Sequence, residues 1–231
     1  MRKEGLPFAF DVEVARVFED MIQRSVPGYG LTLQMLAVIA GLYAQKDSKL
    51  YDLGCSLGAS TLALAHGIKV DGCAIIGVDN SVAMLEKCAK HIAQSPVPVI
   101  LQEADIQDVE ISDASVVVLN FTLQFVPKEE RLNLLQGIYQ GMRKGGVLVL
   151  SEKVSFADEF EQQQHIRLHE AFKKMQGYSE LEVSRKRQSL ENVLIPEPVS
   201  AHHARLTAAG FDKVQTWFQC FNFTSMLAYK R

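Results

Sequence analysis

The chain lacks the cysteine spacing of a zinc site or a redox pair. Its four cysteines, Cys55, Cys73, Cys88 and Cys220, are widely spread and form no C-x-x-C. That pattern argues against a disulfide framework and favours a reducing, cytoplasmic setting. Net charge is also scarce, at −3. This is the wrong sign for a protein that grips nucleic acid through its whole surface, although a local basic patch is still allowed. No apolar run is long enough to span a bilayer. The first residues carry Arg2, Lys3 and Glu4, so no secretory signal segment is expected there. There are no internal repeats and no low-complexity linker. What is present is 231 residues of which 48% are hydrophobic. That is enough for one α/β domain with an insertion, or two small domains, to fold without covalent staples.

The most informative run is Leu50-Tyr51-Asp52-Leu53-Gly54-Cys55-Ser56-Leu57-Gly58-Ala59-Ser60. An apolar strand ends in a turn with two glycines, and a helix begins just after it. Glycines there let the backbone adopt unusual dihedrals and approach a ligand closely. The N–H groups of the new helix can face a polar ligand group. A second strand, Cys73 to Val78, then leads into Asp79-Asn80. An acid at the tip of strand 2 is placed to accept two ribose hydroxyls.

Around that core the pattern alternates. Phe10-Asp11 opens an amphipathic helix with Val14, Val17, Phe18, Met21 and Ile22 on one face, stopped by Pro27-Gly28. A second helix runs from about Leu31 to Ala44. Expected strands are Lys49–Leu53, Ala74–Asp79, Val97–Gln102, Ser115–Asn120, Val147–Ser151, Lys213–Phe218 and Phe223–Tyr229. Helices are expected after Gly58, from Ser81 as N-cap to about Gln94 with Glu86 and Lys87 toward solvent, from Pro127 to Lys144-Gly145-Gly146, and over Ala201–Ala209. The short Gln219–Asn222 link requires the last two strands to be antiparallel. The polar stretch from Val154 to Ser200 breaks the alternation and reads as an inserted helical cap. Repeated β-α units imply a parallel sheet covered on both faces, with a ligand at the carboxyl ends of its strands. Gly54, Asp79, Asp105 and Asn120 all fall at such ends.

Each candidate also has a plainer reading. Asp79 could serve only the dipole of the next helix, and Asp105 and Asn120 could be turn residues. Cys55, near a helix N-terminus, could be an activated thiol or simply a small loop residue. His165 and His169 could share a helix face, but further zinc ligands are not evident. Tyr29 could be packing, and Met21, Met35 and Leu36 read as core.

Seven strands ending in an antiparallel hairpin, the glycine turn and the strand-2 acid resemble the class I S-adenosylmethionine (SAM)-dependent methyltransferase fold over Lys46 to Arg231. Four blocks are more specific: Asp20 to Tyr29 (DMIQRSVPGY), Tyr51 to Gly58 (YDLGCSLG), Val118 to Phe125 (VLNFTLQF) and Gly177 to Glu182 (GYSELE), followed by Lys186-Arg187 and Leu190-Glu191-Asn192. With them the chain is similar, almost end to end, to the carboxy-S-adenosyl-L-methionine synthase family, from which only its short N-terminus departs somewhat. The resemblance implies one Rossmann-like α/β domain over residues 1–231, with N-terminal helices over 1–45, a helical cap over 154–200, and a mostly parallel seven-stranded sheet whose strand 7 is antiparallel. It implies the conversion of SAM and prephenate to carboxy-SAM and phenylpyruvate, without a metal. The product would pass to a separate tRNA carboxymethyltransferase that modifies wobble uridine. By the same resemblance Tyr29, Gly54, Cys55, Ser56, Asp79, Asn80, Asp105, Ile106 and Asn120 line the nucleoside and amino-acid pocket. Arg187 would reach from the partner subunit of a homodimer to the transferred carboxylate. On the residues alone, Lys186-Arg187 could equally be part of a solvated, mixed-charge helix face. No side chain stands out as the catalytic base, which the resemblance assigns to the substrate itself.

Other functions compete. A conventional small-molecule methyltransferase would share the fold but leave S-adenosylhomocysteine. A nicotinamide-dependent oxidoreductase would want G-x-G-x-x-G, a spacing that Gly-Cys-Ser-Leu-Gly does not give. Amide and adenine methyltransferases want Pro-Pro-aromatic after the strand-4 Asn, and Phe121-Thr122-Leu123 follows instead. A non-catalytic nucleoside-binding module would show no turnover with prephenate.

Overall fold

The computed structural model describes residues 11–182 and 194–231. Two helices come first, α1 (Val12–Ser25) and α2 (Tyr29–Tyr43), and then β1 (Lys49–Leu53), α3 (Ala59–Gly67), β2 (Ala74–Asp79), α4 (Val82–His91), β3 (Val99–Glu103) and β4 (Ala114–Asn120). A 3₁₀ turn (Leu123–Phe125) leads to α5 (Arg131–Gly141), β5 (Met142–Lys153), α6 (Glu159–Met175), α7 (Val199–Ala208), β6 (Lys213–Cys220) and β7 (Phe223–Tyr229). The strands form one sheet in the order β3-β2-β1-β4-β5-β7-β6. β1 through β5 pair in parallel, and β7 runs antiparallel to both β5 and β6.

Strand side chains alternate between two buried faces, which is why the strands read as near-continuous apolar runs. Leu50, Val116, Val118, Val147 and Val149 pack on Leu36, Ile39 and Ala40 of α2 and on Leu64 and Ala65 of α3. Their neighbours Tyr51, Leu53, Val117, Leu119, Leu148 and Leu150 pack on Leu134, Leu135 and Ile138 of α5 and on Leu206 of α7. The chain lays β2 and β3 on one side of β1 and β4 and β5 on the other. The order therefore reverses between β1 and β4, and a crevice opens there at the carboxyl ends.

Several local expectations change. α2 begins at Tyr29, because Gly28 turns the chain with φ +77°. Pro127–Glu130 is a turn closed by Glu130 N–H to the Pro127 carbonyl (3.0 Å), and α5 starts only at Arg131. β5 takes in the Lys144-Gly145-Gly146 stretch expected to close that helix, since Met142 already pairs with Ala114. β6 extends to Cys220, leaving a two-residue hairpin loop in which Phe221 has φ +52°, the left-handed backbone such loops need. Val17 faces solvent and Lys87 does not: its Nζ donates to the Ala15 carbonyl (2.9 Å) and ties α4 to α1. Among the described residues no single helix is long and apolar enough to cross a membrane.

Candidate active site

A cavity of about 1300 Å³ opens at the carboxyl ends of β1, β2 and β4, beneath α1 and α6. Tyr29, Gly54, Cys55, Ser56, Asp79, Asn80, Asp105, Ile106 and Asn120 all line it. Arg187 lies outside the described residues.

The glycine turn has one conformation available to it. Gly54 (φ +82°) and Cys55 both donate backbone N–H to the Val78 carbonyl at 2.8 Å, binding the turn to β2. A Cβ on Gly54 would sit 2.5 Å from the Thr122 side chain, and one on Gly58 (φ +87°) 2.8 Å from Cys88 Sγ. Only glycine meets both the dihedral and the space. Gly58 offers α3 no side-chain cap. The first N–H groups of α3 therefore lack a side-chain cap at the cavity edge, where Ala59 and Ser60 line the wall.

Asp79 accepts two backbone bonds at 2.9 Å, Oδ2 from Ser56 N–H and Oδ1 from Ser81 N–H. It thus holds the turn and the start of α4 together, and Ser81 caps α4 through Met84 N–H as its sequence implies. Burial raises the Asp79 carboxyl above its ordinary value, and the two backbone bonds oppose the shift. Each oxygen keeps a lone pair for a further donor. Asp105 Oδ1 accepts Gln107 N–H (3.0 Å), which presents Asp105 and the buried Ile106 beside the β2 end.

At the switch point, Asn120 Nδ2 donates to Ser60 Oγ (3.0 Å), and its Oδ1 is buried with no partner. Tyr29 is buried at the start of α2; burial, then the charges of Asp52 and Glu19, push its phenol up. Asp52 carries no local flag beyond being an acid inside an apolar strand. It is fully buried, its Oδ2 accepts the Thr61 hydroxyl (2.6 Å), and its Oδ1 has no partner. Burial pushes its carboxyl up to about 7, against the Thr61 bond. A folded-state value above the unfolded one (about 4) means the folded chain holds the extra proton between roughly pH 4 and 7. Stability therefore falls as pH rises through that window. Between about pH 4 and 7 the melting temperature of the ligand-free Asp52→Asn variant should fall less steeply than that of the parent. A parallel decline in both would show that Asp52 ionises normally.

Helix α6 supplies the opposite wall. Gln162, Ile166, His169, Glu170 and Lys173 of α6 line the cavity, with Gln124 and Lys153 at its β4–β5 side. His169 Nε2 lies 2.8 Å from the Ser25 carbonyl, so that nitrogen carries the proton, and the ring packs edge-on against Phe223. His165 instead stacks on Phe156 at 4.0 Å. No group of three or more metal-ligating side chains occurs among the described residues. The neighbouring Cys88 thiol and burial raise the free Cys55 thiol, which argues against an activated thiolate. Met21 lines the cavity instead of joining the core.

Comparison with known proteins places this architecture. Residues 50–146 match the methyltransferase domain model. The human N-acetylserotonin methyltransferase structure in complex with SAM aligns with TM-score 0.63 at 17% identity, over 95% of this chain and 55% of that one. A structure from Methanococcus maripaludis, described as that of an S-adenosyl-L-methionine-dependent methyltransferase, aligns with TM-score 0.61 at 18% identity, over 99% and 97%. These likenesses concern the fold. Sequence likeness goes further. Carboxy-S-adenosyl-L-methionine synthases are 53% identical in Citrifermentans bemidjiense, over 99% of this chain and 95% of the relative. They are 54% identical in Photobacterium profundum (96% and 92%) and 56% in Marinobacter nauticus (96% and 90%). The chain belongs to the carboxy-S-adenosyl-L-methionine synthase family, enzymes that use SAM on a class I methyltransferase fold.

Proposed function

We propose that the chain converts SAM and prephenate to carboxy-SAM and phenylpyruvate. The observation that carries this is the convergence of every described candidate residue on one cavity in a chain so similar over its length to synthases of that name. Asp79 receives the ribose hydroxyls. Asp105 and Ile106 border the adenine. The glycine turn, Asn120 and Tyr29 surround the amino-acid portion.

The sulfonium makes the methyl carbon electrophilic but also acidifies it. Prephenate loses its ring carboxyl as carbon dioxide and its ring hydroxyl as hydroxide, becoming aromatic phenylpyruvate. The methyl carbon loses a proton, its electron pair forms the new bond to carbon dioxide, and proton and hydroxide leave as water. The protein's part is to align the two molecules and exclude bulk water. The product serves as carboxymethyl donor for wobble uridine in tRNA, through a separate tRNA carboxymethyltransferase, in the cytoplasm.

The enzyme acts as a homodimer in which Arg187 of one subunit meets the transferred carboxylate in its neighbour's cavity, arginine being the two-pronged partner for that group. Exposed Leu31, Val38 and Leu42 on α2, and Phe160, Leu168 and Met175 on α6, offer apolar surface for such an assembly. Arg187→Ala should weaken carboxy-SAM about tenfold more than SAM, and Arg187→Lys should recover part of the loss. Equal weakening of both ligands in calorimetry would place Arg187 outside carboxylate recognition. The deciding experiment on function is product mass. Incubation with SAM and prephenate should give a sulfonium nucleoside heavier by one carboxyl group. Formation of S-adenosylhomocysteine instead would make the enzyme a conventional methyltransferase.

A further inference from the structure

Two ligands have to share the cavity if one is to carboxylate the other. Pockets that hold one drug-sized ligand measure about 300–1000 Å³, and this cavity measures about 1300 Å³. Gly54, Asp79 and Asn120, proposed above to meet SAM, stand at the ends of β1, β2 and β4. The sheet continues from β4 through β5 to β7. Neighbouring strands lie about 4.8 Å apart, which sets β7 roughly 10 Å across the sheet from β4. The cavity wall reaches that far, because Val154, Asn222 and Phe223 line it.

Aromatic rings form part of the wall at this end. Phe121 and Phe223 meet edge-on with their centroids 5.9 Å apart. Phe121 is held at φ +64°, a left-handed conformation that bulky residues rarely adopt. Its N–H donates to the Ser151 carbonyl (2.8 Å), which ties the backbone carrying the ring to β5. Two side-chain amides, Gln124 and Asn222, lie among these apolar groups. Gln124 is engaged at both ends: Nε2 donates to the Phe121 carbonyl (3.1 Å) and Oε1 accepts Lys153 N–H (3.2 Å). Asn222 differs. It is only 2% exposed and lines the cavity, yet its Oδ1 is buried with no partner. Its place is fixed by the backbone, since the Asn222 carbonyl accepts Val154 N–H (2.8 Å). Few buried polar atoms in a folded chain go without a partner. The same signature marks Asn120 on the SAM side, whose Oδ1 is also buried and unpartnered.

We propose that the Asn222 side-chain amide binds the second substrate, hydrogen bonding one of its oxygens while Phe121 and Phe223 take its apolar ring. An amide presents donors on Nδ2 and an acceptor at Oδ1, so a hydroxyl or carboxyl oxygen suits it. Being uncharged, it positions such a group without fastening it as strongly as an ion pair would. That matters for an acid whose carboxyl group must leave. The inference rests on the carboxyl-transfer reading above.

The test uses the full chain with SAM and prephenate, following product by mass, and measures SAM affinity separately by calorimetry. Asn222→Ala should lower kcat/KM for prephenate about tenfold, the effect of one lost hydrogen bond, while the Kd for SAM stays within about twofold. The ligand-free variant should melt within about 2 °C of the parent, because the oxygen it loses has no partner there. Asn222→Asp should lose more activity, since it gives up the donor and sets a like charge against an acid. If Asn222→Ala fails to fold, Asn222→Leu, which keeps the volume, carries the same measurement. Failure of both to fold makes Asn222 a structural residue and overturns the proposal. Unchanged kcat/KM in variants of an active parent overturns the subsite alone and leaves the amide satisfied by water. An equal loss of SAM affinity also overturns it, by placing Asn222 in nucleoside binding or folding. A parent that binds SAM but makes no carboxylated product from prephenate overturns the proposed function, and the subsite with it.

Discussion

Arg131→Met should destabilise the protein by about 3–5 kcal/mol, the usual effect of removing one partner from a buried ion pair. The Arg131 side chain is fully buried. Its Nη1 pairs with Glu197 Oε2, its Nε donates to the Val126 carbonyl (2.9 Å), and its Nη2 donates to the carbonyls of Gln124 (3.2 Å) and Ile195 (3.0 Å). Glu197 also binds Arg205 Nη2 at 2.8 Å. One guanidinium therefore joins the loop after β4 to the segment that returns from the cap. Methionine would fill the volume but leave Glu197 with one cation and remove the guanidinium donor from the Val126, Gln124 and Ile195 carbonyls, of which Gln124 keeps the Ile195 N–H (3.1 Å). Glu152 would suffer as well. Burial already pushes its carboxyl well above the usual range, and Arg131 is the main charge opposing that shift. At about 2–4 °C per kcal/mol for a chain of this size, the melting temperature should fall by roughly 10 °C. Arg131→Lys should fall between parent and Met, because it keeps the charge and loses the fork. A shift of under 2 °C in Arg131→Met would show that the network adds nothing net. Cavity shape should change too, since Gln124 and Pro196 line the wall that this network holds.

Asp79→Asn should weaken SAM binding by about two orders of magnitude. Hydrogen bonds to a charged acceptor contribute about 1.5–3 kcal/mol each, and a factor of ten corresponds to about 1.4 kcal/mol. The substitution acts twice. It removes the charge proposed to face the ribose. It also turns an NH₂ group toward either Ser56 N–H or Ser81 N–H, each of which needs an acceptor. The glycine turn and the start of α4 then lose a shared tie, so a drop of a few degrees in melting temperature should accompany the binding defect. Calorimetric titration with SAM checks the main effect. Affinity within threefold of the parent would remove Asp79 from ribose recognition and leave it a purely structural clamp.

The β1–β2 side of the cavity was legible in the sequence because its signals are local. Gly54 and Gly58 mark positive φ, Ser81 caps the helix three residues before Met84, and Asp79 ends an apolar strand. Each depends on neighbours a few residues away. The second wall of the cavity was not legible. His169 meets the Ser25 carbonyl across 144 positions, and nothing near Lys153 or Lys173 distinguishes them from solvated lysines. The start of α5 was not legible either. Pro127 has the proper place for a helix start, yet the chain stays in a turn until Arg131, whose side chain is drawn inward to a carboxylate 66 positions away.

Strand alternation, turn chemistry and caps, fixed by backbone sterics and hydrogen bonds within a few residues, are properties of the sequence alone. They determine the parallel sheet, the glycine turn and the strand-end acids. Which helix face covers the crevice, which lysines enter it and which arginine is buried were decided by tertiary packing. Apolar burial is non-directional, so many pairings of faces satisfy the same pattern. Only the assembled set of buried contacts and satisfied polar groups selects one.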